Sequence, residues 1–295
     1  MNIRGLFIAS NAGYQAVVII LLSLHCALAN ANLILTSPPR ETPANGQKQY
    51  GPLAEQLTRV LGEKVTYVHP KGWLYYQRDM RLDKYDIIFD GPHFISWRVK
   101  QFNQIPVAKL PGTLSFIVFT EKSNADINKL EDLYNKPMCG IAPPNLATLT
   151  VLAQYPNPVR QPRLVTVKGG APGVYKAFKS GKCTTAVIRD KYYMKKIPQQ
   201  VRDKLKVIFH SLPVSNQGIS VSTRVTPEQR EKIIKDLTEE NNKALMPTLK
   251  RFGGKAKKMI PASAADYDNQ YKLLTGIIFG WEIDNKDFVD PDKNK

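Results

Sequence analysis

Apolar positions along this chain alternate between short strand-like runs and stretches with helical spacing. A run over 33–37 ends at Pro38-Pro39, and Leu53, Ala54, Leu57, Val60 and Leu61 then recur at helical spacing, which predicts a helix over 50–61 closed by Gly62. Strands follow at 65–68 and 86–89, separated by a helix over 74–82. A β-rich run over 114–120 enters through Pro111-Gly112. After it the alternation resumes: a short helix over 128–134, strand 138–142, helix 145–154, strand 164–167, helix 174–179 and strand 184–188. Strands 207–209 and 218–222 come next, then a helix opening at Thr226-Pro227-Glu228-Gln229 with proline at its first position. The segment 264–281 reads as helical, packing through Tyr271, Leu274, Ile277 and Ile278, and the tail 284–295 is charged and frayed.

Short strands joined by crossover helices predict an α/β fold with mixed, mostly parallel sheets flanked by helices. The two α/β sets, with connecting strands near 111–117 and 211–218, predict one discontinuous lobe, 32–111 plus 217–283, embracing an inserted lobe, 112–216. No repeat with a period of 20–50 residues is present.

The N-terminus changes what is counted as fold. Arg4 is the only charged residue before an apolar run over 16–24, and Ala27-Leu28-Ala29 or Ala29-Asn30-Ala31 offers a small-x-small cleavage site, so residues 1–31 are expected to be a cleaved signal peptide. The run is too short for a membrane span, which needs about 20 residues. Cys26 raises lipid anchoring, but His25 stands where a small residue is expected before a modified cysteine. Export leaves Cys139 and Cys183 as an even pair, and an oxidising compartment permits a disulfide between them. The formal charge of the whole chain is +17. Its basic residues are spread out and no aromatic-interleaved basic motif or zinc spacing accompanies them, so a solvated basic surface is expected and not a nucleic-acid site. The absence of a nucleophile elbow, a metal-spaced histidine pair or a Walker loop favours binding over catalysis, with no metal and no cofactor.

Candidate chemistry concentrates where strands end, because ligands of open α/β sheets sit outside carboxyl ends of strands, beside the next helix N-termini. Tyr85-Asp-Ile-Ile-Phe-Asp-Gly-Pro-His-Phe runs an apolar strand into Asp90, a Gly-Pro break and His93. Asp90 either faces a ligand or caps the helix, and His93 either faces the ligand or packs at the first turn. Ser37 and Arg40 follow the first strand, where Arg40 would clamp an anion or pair with Glu41. Trp73, Tyr75 and Tyr76 would wall a pocket or pack internally. Asn145 caps the helix that follows it, whose N–H groups and positive dipole end would also face a ligand, and Arg189 and Asp190 end a second-lobe strand, facing the gap or pairing with each other. Trp97 and Arg98, one turn beyond His93, are expected to pack and solvate the helix.

Three segments resemble the phosphate/phosphonate-type substrate-binding proteins of ABC transporters: Tyr50-Gly-Pro-Leu-Ala-Glu-Gln-Leu, the block from Tyr85 to Phe94, and Gly181-Lys-Cys-Thr-Thr-Ala-Val. The resemblance covers nearly the whole mature chain. It implies a type II periplasmic-binding-protein fold, with a small molecule held in the interlobe cleft by hinge closure and passed to an inner-membrane ABC permease. It also implies a periplasmic monomer without nucleic-acid partners. Tyr50 matches a cleft tyrosine, and the segment from Asp90 to Phe94 matches a Gly-Pro loop that supplies ligand contacts. The segment 144–148, with Asn145 and Thr148, takes the place of a Ser/Thr-rich turn, and 169–172 the place of a loop that often carries a histidine. The chain departs from the pattern there: Thr148 is the only hydroxyl in the turn, and Gly169-Gly170-Ala171-Pro172 has no histidine. A phosphonate needs several convergent donors, so the ligand is left between a phosphonate bearing an amine, another organic solute and an apolar cargo. A periplasmic sensory or accessory protein is the alternative. Asp90→Ala is expected to weaken ligand binding without unfolding the chain.

Overall fold

In the computed structural model, residues 32–275 are described, so the expected signal peptide, Cys26 and the charged tail lie outside the described residues. The first unit begins with β1 (Leu33–Thr36), α1 (Pro43–Leu61), β2 (Val65–Tyr67), α2 (Trp73–Arg81), β3 (Ile87–Asp90), α3 (Pro92–Phe102) and β4 (Ile105–Lys109). Helix α1 starts seven residues before the helix predicted over 50–61. Thr42 caps it by accepting from the Asn45 amide at 3.4 Å, Pro43 supplies the fixed φ of a first helical residue, and Gly62 ends it in the left-handed region at φ 68°.

Two short strands then carry the chain across and back. Strand β5 (Thr113–Leu114) leads into β6 (Phe116–Glu121), β7 (Pro137–Gly140), α4 (Leu146–Leu152), β8 (Arg163–Thr166), α5 (Gly170–Lys179) and β9 (Thr185–Arg189). Helices α6 (Asp190–Lys196) and α7 (Gln199–Arg202) and strand β10 (Leu205–His210) complete that set. Strand β11 (Val214–Ser215) returns antiparallel to β5, and β12 (Gly218–Val221), α8 (Pro227–Thr238) and β13 (Ile260–Pro261) rejoin the first unit. Helix α8 carries a reciprocal capping box between Thr226 and Gln229.

The first sheet has the order β13-β4-β12-β3-β1-β2 and the second β10-β6-β9-β7-β8, with β5 and β11 forming a separate ribbon between them. In each sheet one strand beside the crossover runs against its neighbours: β12 pairs antiparallel with β3 and β4, and β6 antiparallel with β9 and β10. The remaining interior pairs are parallel, and β13 joins the edge antiparallel to β4. All four residues of β3 are buried, as a strand covered on both faces requires. One face of the first sheet packs Leu35, Phe89 and Ile219 with Tyr50, Leu53 and Leu57 of α1 and Ile233 and Leu237 of α8. On the second sheet, Phe119, Cys139, Ala186 and Ile188 pack with Val174 and Phe178 of α5 and Tyr193 of α6.

The expected long helix over 264–281 is not formed in its described part. Residues Ala264–Tyr267 and Gln270–Leu273 make two separate 3₁₀ turns, because Asp268 is extended at φ −57° and ψ 141° and Asn269 is left-handed at φ 61°. The apolar spacing of that segment serves packing all the same: Leu274 is buried and Tyr271 partly so.

Cys139 and Cys183 form the expected disulfide, tying the last turns of chain before β9 to β7 beside it. Closing the intervening loop restricts the unfolded chain, which on the chain-entropy estimate stabilises the fold by about 4 kcal/mol. Thermal unfolding with and without reductant should therefore show a lower midpoint when the bridge is open, and Cys139→Ala/Cys183→Ala should show the same fall with no further response to reductant. Equal midpoints would leave the bridge without that role.

Candidate ligand-binding site

Strand β3 delivers Asp90 to the crossover end of the first sheet, opposite Gly218 on β12. There it is fully buried and saturated. One carboxylate oxygen accepts from the Gly91 amide at 2.7 Å and from Arg40 at 3.5 Å, and the other accepts from Arg98 at 2.8 Å and from the Tyr76 hydroxyl. Arg98 is equally buried and also bonds Gln104 and Ser220. It therefore does not solvate α3 as the sequence suggested; it lies on the apolar stripe and neutralises Asp90. Burial, reinforced by the neighbouring carboxylate, pushes the Tyr76 hydroxyl well above its ordinary range, so it donates. Both Asp90 oxygens are thus engaged within the protein at the floor of the candidate site, which speaks for a structural role beside the ligand contact expected of it.

Around that floor stand groups with unmet hydrogen-bonding capacity. Arg40 approaches Asp90 through one nitrogen and lies 5.8 Å from the Phe252 ring, while its other terminal nitrogen, Nη1, is buried without a hydrogen-bond partner among the described residues. The expected Arg40–Glu41 pair is not made; Glu41, with its side chain 1% exposed, pairs with Arg251 at 2.6 Å. Tyr50 packs its ring 5.3 Å from Tyr67 and 5.9 Å from Phe89, and its buried hydroxyl has no hydrogen-bond partner among the described residues. Ser37, fully buried, lies close enough to favour the Tyr50 phenolate but points at Tyr67, 3.2 Å away. Burial dominates and raises the Tyr50 pKa, which keeps it a neutral donor. Tyr67 continues the chain to His69 at 3.0 Å. Gly46 of α1 is needed for this: a Cβ there would stand 2.5 Å from His69 Nδ1 and 2.7 Å from the Tyr67 hydroxyl.

His93 reaches across to the second unit. Its Nε2 lies 3.0 Å from the carbonyl oxygen of Pro144, which follows a cis Pro143-Pro144 bond, and the opposite nitrogen, Nδ1, is buried without a partner among the described residues. Since a carbonyl only accepts, Nε2 carries the proton, and in the neutral ring Nδ1 is a bare acceptor. The ring is held neutral: burial lowers its pKa to about 4, against the opposing pull of Asp90 and of the Pro144 bond. Gly91 makes room for this, as its missing Cβ would fall 3.1 Å from Nδ1 and 3.8 Å from the Arg40 guanidinium. Across the gap, a Cβ on Gly254 would lie 3.3 Å from Lys191 Nζ, so the two units also approach at the rim.

The remaining expected residues divide plainly. Phe94 faces an apolar cluster with Tyr76, Trp97 and Leu149 and stacks 6.1 Å from Trp73, so it packs the units together and does not line the polar site. Tyr76 is internal and Tyr75 exposed, as adjacent helical positions require. Asn145 is a cap, its side-chain oxygen accepting from the Ala147 and Thr148 amides at 3.1 and 3.4 Å. Thr148 is buried and donates its hydroxyl to Ile141 at 2.6 Å, so the one hydroxyl of that turn is spent within its own unit. Asp190 turns to Ser115 and to the Lys191 amide, with His210 3.5 Å away, and Arg189 keeps a buried Nε without a partner. Tyr67, Arg251 and Phe252 were not picked out from sequence, and Glu41 only as a surface partner for Arg40. Among the described residues there is no cluster of three or more metal-ligating side chains, and no helix is long and apolar enough to cross a membrane.

Comparison with known proteins adds a family. The model of the ABC-transporter periplasmic phosphonate substrate-binding proteins matches residues 35–267. A Prochlorococcus marinus protein in complex with methylphosphonate aligns with TM-score 0.59 at 13% identity, covering 83% of this chain and 97% of that one. A Xanthomonas citri protein bound to ATP aligns with TM-score 0.64 at 12% identity, covering 82% and 95%. The binding-protein component of an ABC phosphonate transporter from Pseudomonas aeruginosa gives TM-score 0.53 at 16% identity, covering 81% and 82%. At such identities these likenesses concern the fold. No curated protein matches by sequence.

Proposed function

The chain belongs to the periplasmic substrate-binding proteins of phosphonate-type ABC transporters, and within that family we propose that it captures a small organic solute between two lobes that close about the β5–β11 ribbon. The observation that carries this is the hydrogen bond from His93 on one side to Pro144 on the other, beside buried Arg40 and Tyr50 groups that have unmet donors. Groups of this kind are costly to bury without a partner, and a solute entering from the gap supplies one. Lobe limits of 32–111 plus 217–283 and 112–216 fit the assignment of strands to the two sheets. Export through residues 1–31, action as a monomer without a covalent step, and delivery to an inner-membrane permease complete the proposal.

An apolar cargo is less well supported, since Trp73, Tyr76, Phe94 and Trp97 are spent on one another and on Leu149. Native mass spectrometry of the protein as purified tests capture directly. The expected spectrum shows a small-molecule adduct in stoichiometric amount, lost on denaturation and refolding. X-ray scattering of the stripped protein should then show compaction when the recovered solute is returned. A recovered solute that binds with unchanged dimensions would remove hinge closure, and a co-purified lipid would reinstate the apolar cargo.

A further inference from the structure

Resting on the cleft reading, we propose that the solute is a small organic carboxylate carrying a neutral O–H or N–H donor, in preference to a phosphonate. The unmet capacity of the site has a definite composition. Among the described residues, Arg40 Nη1 and the Tyr50 hydroxyl are buried donors and His93 Nδ1 a buried acceptor without hydrogen-bond partners; the Glu41 oxygens accept no hydrogen bond either, but Arg251 meets their charge. Two donors match the two oxygens of a carboxylate. The histidine acceptor calls for a donor, and a neutral one suffices: Arg40 and Arg98 oppose positive charge beside His93, and the favouring charge of Asp90 is already paired with Arg98.

The opposite wall lacks what a phosphonate would need. Pro143 and Pro144 have no N–H to give, and the Pro144 carbonyl is an acceptor already taken by His93. The amides of Ala147 and Thr148 are bound to Asn145, and the Thr148 hydroxyl to Ile141. This turn therefore offers no donor to a third phosphonate oxygen, which would be desolvated on that side.

Charge points the same way. Arg98 is matched by Asp90 and Arg251 by Glu41, and Arg40, 3.5 Å from the already neutralised Asp90, remains as one excess positive charge. A carboxylate balances that charge, whereas a phosphonate dianion would leave a surplus of negative charge next to Asp90 and Glu41. Lys191 adds a positive charge at the rim, but it is exposed, where water screens it.

Calorimetric titration of the refolded, solute-free protein with matched pairs tests this: lactate against 1-hydroxyethylphosphonate, and propionate against ethylphosphonate. Lactate is expected to bind at least about tenfold tighter than its phosphonate counterpart and at least about tenfold tighter than propionate, which lacks the donor for His93. Tyr50→Phe keeps the ring packing and should weaken lactate about tenfold with an unchanged unfolding midpoint, and Arg40→Met should weaken it further. Tighter binding of the phosphonates, still lost in Arg40→Met, would overturn the carboxylate assignment and leave the cleft reading standing. Binding indifferent to both variants would overturn the cleft reading as well. No heat with any of the four would also overturn the assignment, leaving the capture reading to be judged by the mass spectrum.

Discussion

Asp90→Ala is expected to lower the free energy of unfolding by about 3–5 kcal/mol, the cost of leaving the buried Arg98 charge unpaired. Asp90 has no exposure and Arg98 has 1%, and the two are joined at 2.8 Å with Tyr76, Gln104 and Ser220 around them. These residues come from β3, α2, α3, the turn after α3, and β12, so one carboxylate fixes the junction of four elements that position His93 and Arg40. Urea unfolding at neutral pH measures the effect. Arg98→Met should cost a comparable amount, since it strands Asp90 instead, whereas Asp90→Leu/Arg98→Leu should recover much of the loss because removing both charges removes the desolvation penalty. A fall of less than about 1 kcal/mol in Asp90→Ala, the size of an exposed pair, would mean that Asp90 is not structurally required. In that case its expected ligand role would return.

The strand-helix alternation was legible because each strand is short, apolar and closed by Gly or Pro, and because strand-end polar residues have a fixed place in such sheets. It predicted β1, β2, β3, β7, β8, β9 and the crossover ribbon closely. It missed β4, where Ile105 and Val107 alternate with Pro106 and Ala108, a pattern that the proline disguises. It missed α6 and α7 because their lysines and tyrosines carry too few apolar positions to make a stripe. Of the candidate residues, Ser37, Arg40, Asp90 and His93 were picked out from position and Tyr50 from the resemblance, and the structure gathers them. Their roles were not legible, because donor supply depends on which partners are already met. Arg98 carried an available signal: it lies one turn after Phe94 and beside Trp97, and a guanidinium on an apolar stripe demands a buried acid. Glu41, Arg251 and Phe252 carried none, since their meeting depends on a loop more than 200 residues from β1.

The second large effect is expected from acid acting on His93. Its buried pKa of about 4 lies below the ordinary value of 6.5, so between these values an unfolded or exposed His93 binds a proton that the buried one refuses. Stability from this group is therefore complete above pH 6.5 and falls as pH drops through 6.5 towards 4, and the total is worth about 3 kcal/mol. Three charged groups face the ring: Asp90 favours its protonation, and Arg40 and Arg98 oppose it. Because the ring is enclosed by the contact with Pro144, separation of the two units relieves the penalty with less loss of structure than unfolding does. X-ray scattering should then record an expansion between pH 6.5 and 4, accompanied by a loss of unfolding free energy. His93→Gln can keep a donor towards Pro144 but takes up no proton, so it should remove this part of the pH dependence while the carboxylates' own contribution remains. An identical pH slope in wild type and His93→Gln would show that the histidine is not the group that acid acts upon.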